Sequence, residues 1–148
     1  MKKLTHTDES GRASMVDIGV KEIQHRLARA SGKIIMAKET IELVRKNLLK
    51  KGDVIGTARL AGINAAKQTA TLIPLCHNIA IEKIAVKLDV TESGIVAESE
   101  ISCTGKTGVE MEALTAVSVS LLTVYDMCKA VDKNMIISEI RLIEKIKK

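Results

Sequence analysis

The chain has 148 residues, of which 46% are hydrophobic and 28% are charged, and its formal net charge is +5. This length supports one well-buried domain, the composition excludes a disordered chain, and the modest positive charge suits an anionic ligand. Tyr125 is the only aromatic residue, so the core must be aliphatic, and the stacking platforms that usually bind single-stranded nucleic acid are missing.

The first half of the chain predicts an arm, one short strand and two helices. Residues 1–16 are polar and rich in turn formers, and we expect them to form a mobile arm. Hydrophobic residues then recur at helical spacing, and a glycine stop precedes Asp53, which can cap a second helix rich in alanine and glycine. The predicted elements are a strand over residues 33–37 and helices over residues 39–50 and 53–69.

The second half predicts a hairpin, a long helix and a final strand. Pro74 breaks the preceding helix, because the residue before a proline is pushed out of the helical region. Two alternating hydrophobic runs joined by a turn at residues 91–94 predict paired strands with one solvated face. The elements are strands over residues 83–90, 95–103 and 135–143 and a helix over residues 106–133. This order favours an α+β fold in one domain over residues 1–148, with a ferredoxin-like antiparallel sheet and helices packed on one face.

The long predicted helix carries acidic residues at its start and an ionic pair near its end. Glu112 lies in the first turn, whereas Asp126 and Lys129 share one face three residues apart. Fourteen residues separate Glu112 from Asp126, which corresponds to about 21 Å along an ideal helix. Both carboxylates therefore cannot act on one small reacting centre in one subunit. The ligand is long, or the helix is broken, or each end serves a different site, with a subunit boundary as one arrangement.

The pair formed by Asp126 and Lys129 has two interpretations. It is either a structural ion pair within a helix that is otherwise apolar, or a coupled acid and base whose lysine proton is available because its surroundings are dry. Lys106 belongs to a different pattern, Gly-Lys-Thr, which resembles the end of a phosphate-binding P-loop. Glu100 occupies the position where that motif needs a glycine, so we reject a Walker motif.

Cys76 and His77 are adjacent and follow the proline break. This pair suggests zinc, a Cys–His nucleophile, a histidine that donates to phosphate, or an ordinary loop histidine. Neither of the other two histidines lies at a recognised zinc spacing, so we expect no metal and favour a role with phosphate or protons.

The three cysteines are odd in number and show no Cys-x-x-Cys spacing, which favours a reduced cytoplasmic protein. There is no signal peptide and no uncharged apolar run of 18 residues, so we expect neither export nor a membrane span.

Five blocks of sequence carry a family resemblance: LTH…MVDIG, KGDVIGTARLAGINAAKQT, LIPLCH, TGKTGVEMEALTAVSVSLLTVYDMCKAV and RLIEK. They resemble, in order and over nearly the whole chain, the motifs of the cyclic pyranopterin monophosphate synthases, the molybdenum cofactor biosynthesis protein C family. The resemblance implies conversion of a cyclised dihydroguanosine triphosphate to cyclic pyranopterin monophosphate with release of pyrophosphate, without a cofactor. It also implies a ferredoxin-like homohexamer, built as a trimer of dimers with sites at subunit interfaces.

The resemblance implies catalytic roles for Asp126 and Lys129. It implies substrate binding by a second set of residues, namely Leu75, Cys76, His77, Met111, Glu112, Lys51, Lys145, Lys21, Arg26 and Arg29. The chain departs from the family pattern in two places. Asn78 stands where a proline commonly follows the histidine, and three residues follow the RLIEK block where many relatives continue with a Gly-Gly-Lys-Ser-Gly tail.

Two further classes of function differ from an enzyme in testable ways. A non-catalytic pterin- or nucleotide-binding module would keep the basic pocket and tolerate the loss of Asp126. A nucleic-acid-binding domain would bind any DNA or RNA with strong salt dependence. We expect a small triphosphate as the partner, with no nucleic acid and no membrane.

Overall fold

The computed structural model describes residues 7–148, and its framework is a four-stranded antiparallel sheet with strand order β2-β3-β1-β4. The strands are β1 (Gln24–Ile35), β2 (Lys83–Val90), β3 (Gly94–Gly105) and β4 (Ile136–Lys147). The helices are α1 (Lys38–Arg45), α2 (Val54–Lys67), α3 (Thr69–Leu72) and α4 (Glu110–Cys128). This architecture confirms the predicted α+β fold with an antiparallel sheet.

Strand β1 lies at the centre of the sheet and separates its two faces. Ala28, Ala30 and Ile34 alternate along the strand and are buried under the helices. Arg29 and Ile35 point to the opposite, exposed face, because successive side chains on a strand alternate. The small alanines leave room for α4 to pack closely against this face.

Helix α4 forms the middle of the core, since Ala116, Val117, Leu121 and Val124 along it are fully buried. By length and composition alone, this 19-residue helix could cross a membrane, yet half of it is buried inside the fold. A core helix that packs on a sheet has the same apolar composition, so its position here accounts for its sequence.

Close packing of α2 against α4 depends on small residues. Ser120 Oγ on α4 donates a hydrogen bond to the Ala58 carbonyl oxygen on α2 at 3.0 Å. A Cβ atom added at Gly62 would lie 2.1 Å from Ser120 Oγ and 2.9 Å from the Ala116 carbonyl oxygen. The glycine is therefore required for this approach of the two backbones.

The structure corrects several predicted bounds. Strand β1 begins at Gln24, nine residues before the predicted strand, and β4 continues to Lys147. Helix α1 ends at Arg45 because Asn47 adopts a positive φ of 53°, which turns the chain before residue 50. Helix α4 begins at Glu110 and its C-cap is Lys129, so it is shorter than predicted, but it is continuous from Glu112 to Asp126. The alternative of a broken helix is wrong.

The predicted arm is described only in part, because residues 1–6 lie outside the described residues. Thr7 and Ala13 form an isolated antiparallel bridge. Asp8 Oδ1 accepts hydrogen bonds from the backbone amides of Ser10 and Arg12, each at 2.9 Å. Over the described stretch from residue 7 to residue 23 there is no helix or longer strand, and the chain then enters β1.

Candidate active site

A cavity of about 650 Å³ lies beside the N-terminal end of α4; we call it the main cavity. Six of the residues that the sequence assigned to substrate binding line it, namely Lys21, Leu75, Cys76, His77, Met111 and Glu112. They come from three separate parts of the chain: the segment before β1, the loop between α3 and β2, and the first turn of α4. The fold therefore brings together a set that is far apart in sequence.

A second cavity of about 400 Å³, the basic cavity, adjoins the main cavity and shares four lining residues with it. Five cationic side chains line it, namely Lys21, Arg26, Lys106, Lys145 and Lys147, together with the acids Glu22 and Glu110. The pairing of β1 with β4 explains part of this cluster, since Arg26 lies opposite Lys147 and Lys145 is two residues away on the same face. A surplus of cations in a concave site attracts anions.

His77 is held in place by the segment that precedes β1. Its Nε2 atom lies 2.7 Å from the backbone carbonyl oxygen of Val16. Because a carbonyl oxygen only accepts hydrogen bonds, Nε2 carries the proton and donates it. In the neutral ring Nδ1 is then an acceptor, so His77 can receive a proton or a hydrogen bond from a ligand through that atom.

Glu112 is an acid in the wall of the main cavity with only 3% of its surface exposed. Burial raises the pKa of its carboxyl, and the neighbouring charge of Glu110 adds to this effect, against an opposing hydrogen bond from its own backbone amide. The charge of Glu112 also adds to burial in raising the pKa of the Cys76 thiol. A carboxyl whose pKa is displaced upward in a cleft is a candidate acid or base.

Arg26 and Lys145 differ in how they are satisfied within the basic cavity. Arg26 is 9% exposed and its Nη2 donates to the Lys106 carbonyl oxygen at 3.5 Å, whereas its buried Nε has no hydrogen-bond partner among the described residues. Lys145 forms an ion pair with Glu110. Burial acts to raise the pKa of Glu110, but the hydrogen bonds from Lys145 and from its own backbone outweigh burial and lower it.

At the other end of α4, Asp126 lies between two lysines, and we call these three residues the Asp126 cluster. Lys51 Nζ is 2.6 Å from Asp126 Oδ2 and donates also to its backbone oxygen at 3.1 Å, and Lys129 Nζ is 2.9 Å from Oδ1. The hydrogen bonds from Lys51 and Lys129 lower the pKa of Asp126 to about 2. The hydrogen bond and charge of Asp126 raise the pKa of Lys129.

The Asp126 cluster is not dry within one chain, since the side chains of Lys51, Asp126 and Lys129 are 50%, 54% and 56% exposed. The interpretation that a dry environment loosens the lysine proton is therefore wrong for a single subunit. The cluster also lies at the opposite end of α4 from the main cavity, about 21 Å away along an ideal helix.

Arg29 is the one predicted binding residue that lies outside the main cavity, the basic cavity and the Asp126 cluster. It lies on the exposed face of the sheet, where its guanidinium pairs with Glu100 at 2.5 Å and with Glu144 at 2.9 Å. These two contacts follow from the strand register, which places Arg29 directly opposite both acids.

Among the cavity-lining residues that sequence reasoning missed are Lys106, Glu110 and Lys147. Lys106 belongs to the Gly-Lys-Thr turn, which does not match a P-loop. Its position between a predicted strand and a predicted helix was the signal that could have identified it. Among residues 7–148, no group of three or more histidines, cysteines or acids could hold a metal ion.

Comparison with known proteins shows the family of this chain. A family model described as the MoaC family matches residues 15–147. The chain belongs to the MoaC family. Relatives named cyclic pyranopterin monophosphate synthase include those of Desulfitobacterium hafniense and Heliobacterium modesticaldum. The first is 54% identical over 97% of this chain and 88% of its own length. The second is 54% identical over 98% of this chain and 92% of its own length.

A plant member named for the same activity and described as mitochondrial, from Arabidopsis thaliana, is 53% identical over 98% of this chain and 54% of its own length. Membership in the MoaC family confirms the resemblance seen in the sequence blocks. The range matched by the family model contains every residue that the sequence assigned to the site, from Lys21 to Lys145.

Proposed function

We propose that this chain converts cyclised dihydroguanosine triphosphate (3',8-cyclo-7,8-dihydroguanosine 5'-triphosphate) to cyclic pyranopterin monophosphate and releases pyrophosphate. The observation that carries the proposal is membership in the MoaC family at 54% identity over nearly the whole chain. The reaction is a lyase step in molybdenum cofactor biosynthesis. All three cysteines are free, which supports the cytoplasmic location that we propose for it.

The two adjoining cavities suit the two parts of such a substrate. The basic cavity offers five cations, which match the several negative charges of a triphosphate, and Arg26 contributes a largely buried guanidinium. The main cavity, with His77 and Glu112 in its wall, then holds the base and the ribose. In this arrangement Lys21 lines both cavities and lies where the two parts of the substrate join.

Formation of the cyclic phosphate requires proton transfer and an attack on phosphorus. A hydroxyl oxygen of the sugar attacks the phosphorus nearest the ribose, and the bond from that phosphorus to pyrophosphate breaks. The hydroxyl proton must pass to a base, and the rearranging rings exchange further protons. We assign these transfers to Asp126 and Lys129, with Glu112 as a further acid.

The distance along α4 supports a site whose acids come from different subunits. One chain cannot bring Asp126 to a ligand beside Glu112, because about 21 Å separates them along the helix. We therefore propose a homohexamer, a trimer of dimers in which the main cavity of one subunit receives the Asp126 cluster of another. Large hydrophobic side chains on the surface support assembly; among the most exposed are Leu48, Leu60, Leu72, Leu122, Val131 and Ile136.

Pyrophosphate release from the cyclised triphosphate tests the proposal. The purified wild-type protein should release pyrophosphate, whereas Asp126→Ala and Lys129→Ala should abolish turnover and keep the fold, since both side chains are more than half exposed. Lys87→Ala is a matched control, because Lys87 also pairs with a nearby aspartate but lies on β2, outside the site. No release by the wild type refutes the function, and near-normal turnover by either alanine variant removes that residue from the mechanism.

A further inference from the structure

Asp132 is a buried carboxylate in the turn between α4 and β4, with 7% of its surface exposed. Its Oδ2 accepts hydrogen bonds from the backbone amide of Ala37 at 2.8 Å and from Thr40 Oγ1 at 3.1 Å. Its Oδ1 accepts one from the backbone amide of Asn134 at 3.1 Å. Two of these three donors therefore belong to the start of α1, more than ninety residues earlier in the chain.

This carboxylate takes the place of a missing helix cap. Ala37 occupies the N-cap position of α1 and has no side chain that could accept a hydrogen bond. Asp132 caps this end of α1 from another part of the chain: it accepts hydrogen bonds from the amide of the N-cap residue Ala37 and from the Thr40 hydroxyl, and its negative charge lies near the positive end of the helix. Burial acts to raise the pKa of Asp132, but the hydrogen bonds from Ala37, Asn134 and Thr40 together lower it.

The two segments joined by Asp132 are those that carry the Asp126 cluster. Asp132 follows Lys129 by three residues, and its backbone amide donates to the Cys128 carbonyl oxygen at 3.1 Å, so it continues from the last turn of α4. Helix α1 leads into the turn that carries Lys51, and that turn is anchored in the core by Leu49. The segments thus meet twice, at Asp132 and at the contact of Lys51 with Asp126.

We infer that Asp132 is a positioning residue: by holding the start of α1 against the end of α4, it places Lys51 on Asp126. Its role in turnover rests on the proposed function, whereas its effect on the Lys51–Asp126 contact does not. Asp132 lines neither the main cavity nor the basic cavity, so it acts through Lys51 and not on the substrate.

The kinetic test compares Asp132→Asn, Asp132→Ala and Thr40→Val in the pyrophosphate assay. Loss of the cap moves α1, so kcat should fall on the order of 10- to 100-fold in Asp132→Ala while KM changes little. Thr40→Val keeps the shape of the side chain and removes one hydrogen bond to Asp132, so its decrease in kcat should be smaller. Ile101→Val is the control: Ile101 is a buried core residue on β3 that pairs with Ala28, nine residues before Ala37, and its change should leave kcat and KM unchanged.

A double variant separates positioning from general damage. If Asp132 acts through Lys51, then adding Asp132→Ala to Lys51→Ala should cost no further activity beyond the loss from Lys51→Ala alone. Losses that multiply overturn the inference, as does a folded Asp132→Ala protein with wild-type kcat. If Asp132→Ala does not fold, the same comparison is made with Asp132→Asn and Thr40→Val.

A titration that needs no activity decides the inference independently. Carboxyl-carbon NMR should find Asp126 ionised down to low pH in the wild type, since its lysine contacts hold the pKa at about 2. In Asp132→Ala the pKa of Asp126 should move toward the ordinary aspartate value of 3.8, and in Ile101→Val it should not move. An Asp126 pKa that is unchanged in a folded Asp132 variant refutes positioning, whereas absent turnover by the wild type refutes only the proposed function.

Discussion

Inactive subunits that are damaged at opposite ends of α4 should restore one another's activity when they assemble together. Glu112→Gln removes the acid from the wall of the main cavity without changing its shape, and Asp126→Ala removes the acid from the far end of the helix. Each variant alone should be inactive. A mixed oligomer should regain turnover, because some of its sites combine an intact main cavity from one subunit with an intact Asp126 cluster from another.

The expected recovery follows from the length of the helix. A separation of about 21 Å between Glu112 and Asp126 is far beyond the roughly 3 Å over which a side chain transfers a proton to a bound substrate. In the proposed mechanism each site therefore draws the two acids from different chains. In an equal, randomly assembled mixture, half of the main cavities carry an intact Glu112, and half of the clusters that reach them carry an intact Asp126. About one quarter of the sites are then complete, and activity per subunit should approach about one quarter of the wild-type value.

The assay co-expresses the two variants with different affinity tags, isolates oligomers that carry both tags, and measures pyrophosphate release per subunit. Asp126→Ala mixed with Lys129→Ala is the matched control, because both changes damage the same cluster and no site in that mixture is complete. Restored turnover only in the Glu112→Gln mixture supports a shared site. Mixed oligomers of that pair without turnover would show that one chain supplies both acids, and the distance argument would then be wrong.

Two further predictions concern stability, and thermal unfolding followed by circular dichroism checks both. Burial raises the pKa of Glu112 above its ordinary value of 4.5. The carboxyl therefore loses its proton at lower pH in the unfolded state than in the folded state, and the stability of the fold falls as pH rises. Glu112→Gln should therefore raise the Tm at neutral pH and lose that advantage at about pH 4; a difference independent of pH would contradict the assigned cause. Gly62→Ala should cost about 1–3 kcal/mol by forcing α2 away from Ser120, which lowers the Tm by roughly 2–4 °C for each kcal/mol. Asn64→Ala, at an exposed polar position of the same helix, should change the Tm little, and an equal shift for both variants would contradict the packing argument.

Sequence patterns predicted elements well where hydrophobic alternation was unbroken. Strand β2 was predicted at its observed bounds, since isoleucine, valine and leucine alternate regularly with polar residues along it. Strand β1 was mostly missed because its inward positions hold Arg26, Ala28, Ala30 and a glycine before Ile34. Small or charged inward residues give no period-two hydrophobic signal, although they are what lets α4 approach and the basic cavity form.

Within the site, local patterns could identify individual residues and not their partners. The pairing of Asp126 with Lys129 was visible because the two residues are one helical turn apart. The shorter contact of Lys51 with Asp126 spans 75 residues, and the cap that Asp132 gives to α1 spans more than 90. Such contacts depend on how the sheet positions α1 relative to α4. A short stretch of sequence carries no information about that arrangement.

The electrostatics of the Asp126 cluster connect catalysis to assembly. In a single chain the hydrogen bonds from Lys51 and Lys129 lower the pKa of Asp126 to about 2, and Asp126 in turn raises the pKa of Lys129. Neither group then exchanges a proton readily near neutral pH, where an acid or base works best with a matching pKa. In the proposed oligomer a second subunit covers the cluster and removes water, which would disfavour both charges, raise the carboxyl pKa and lower the ammonium pKa. The same proposed contact would bring the cluster to the main cavity of a neighbouring subunit, since the main cavity of its own chain is about 21 Å away. A monomeric variant should therefore bind the triphosphate weakly and fail to turn it over.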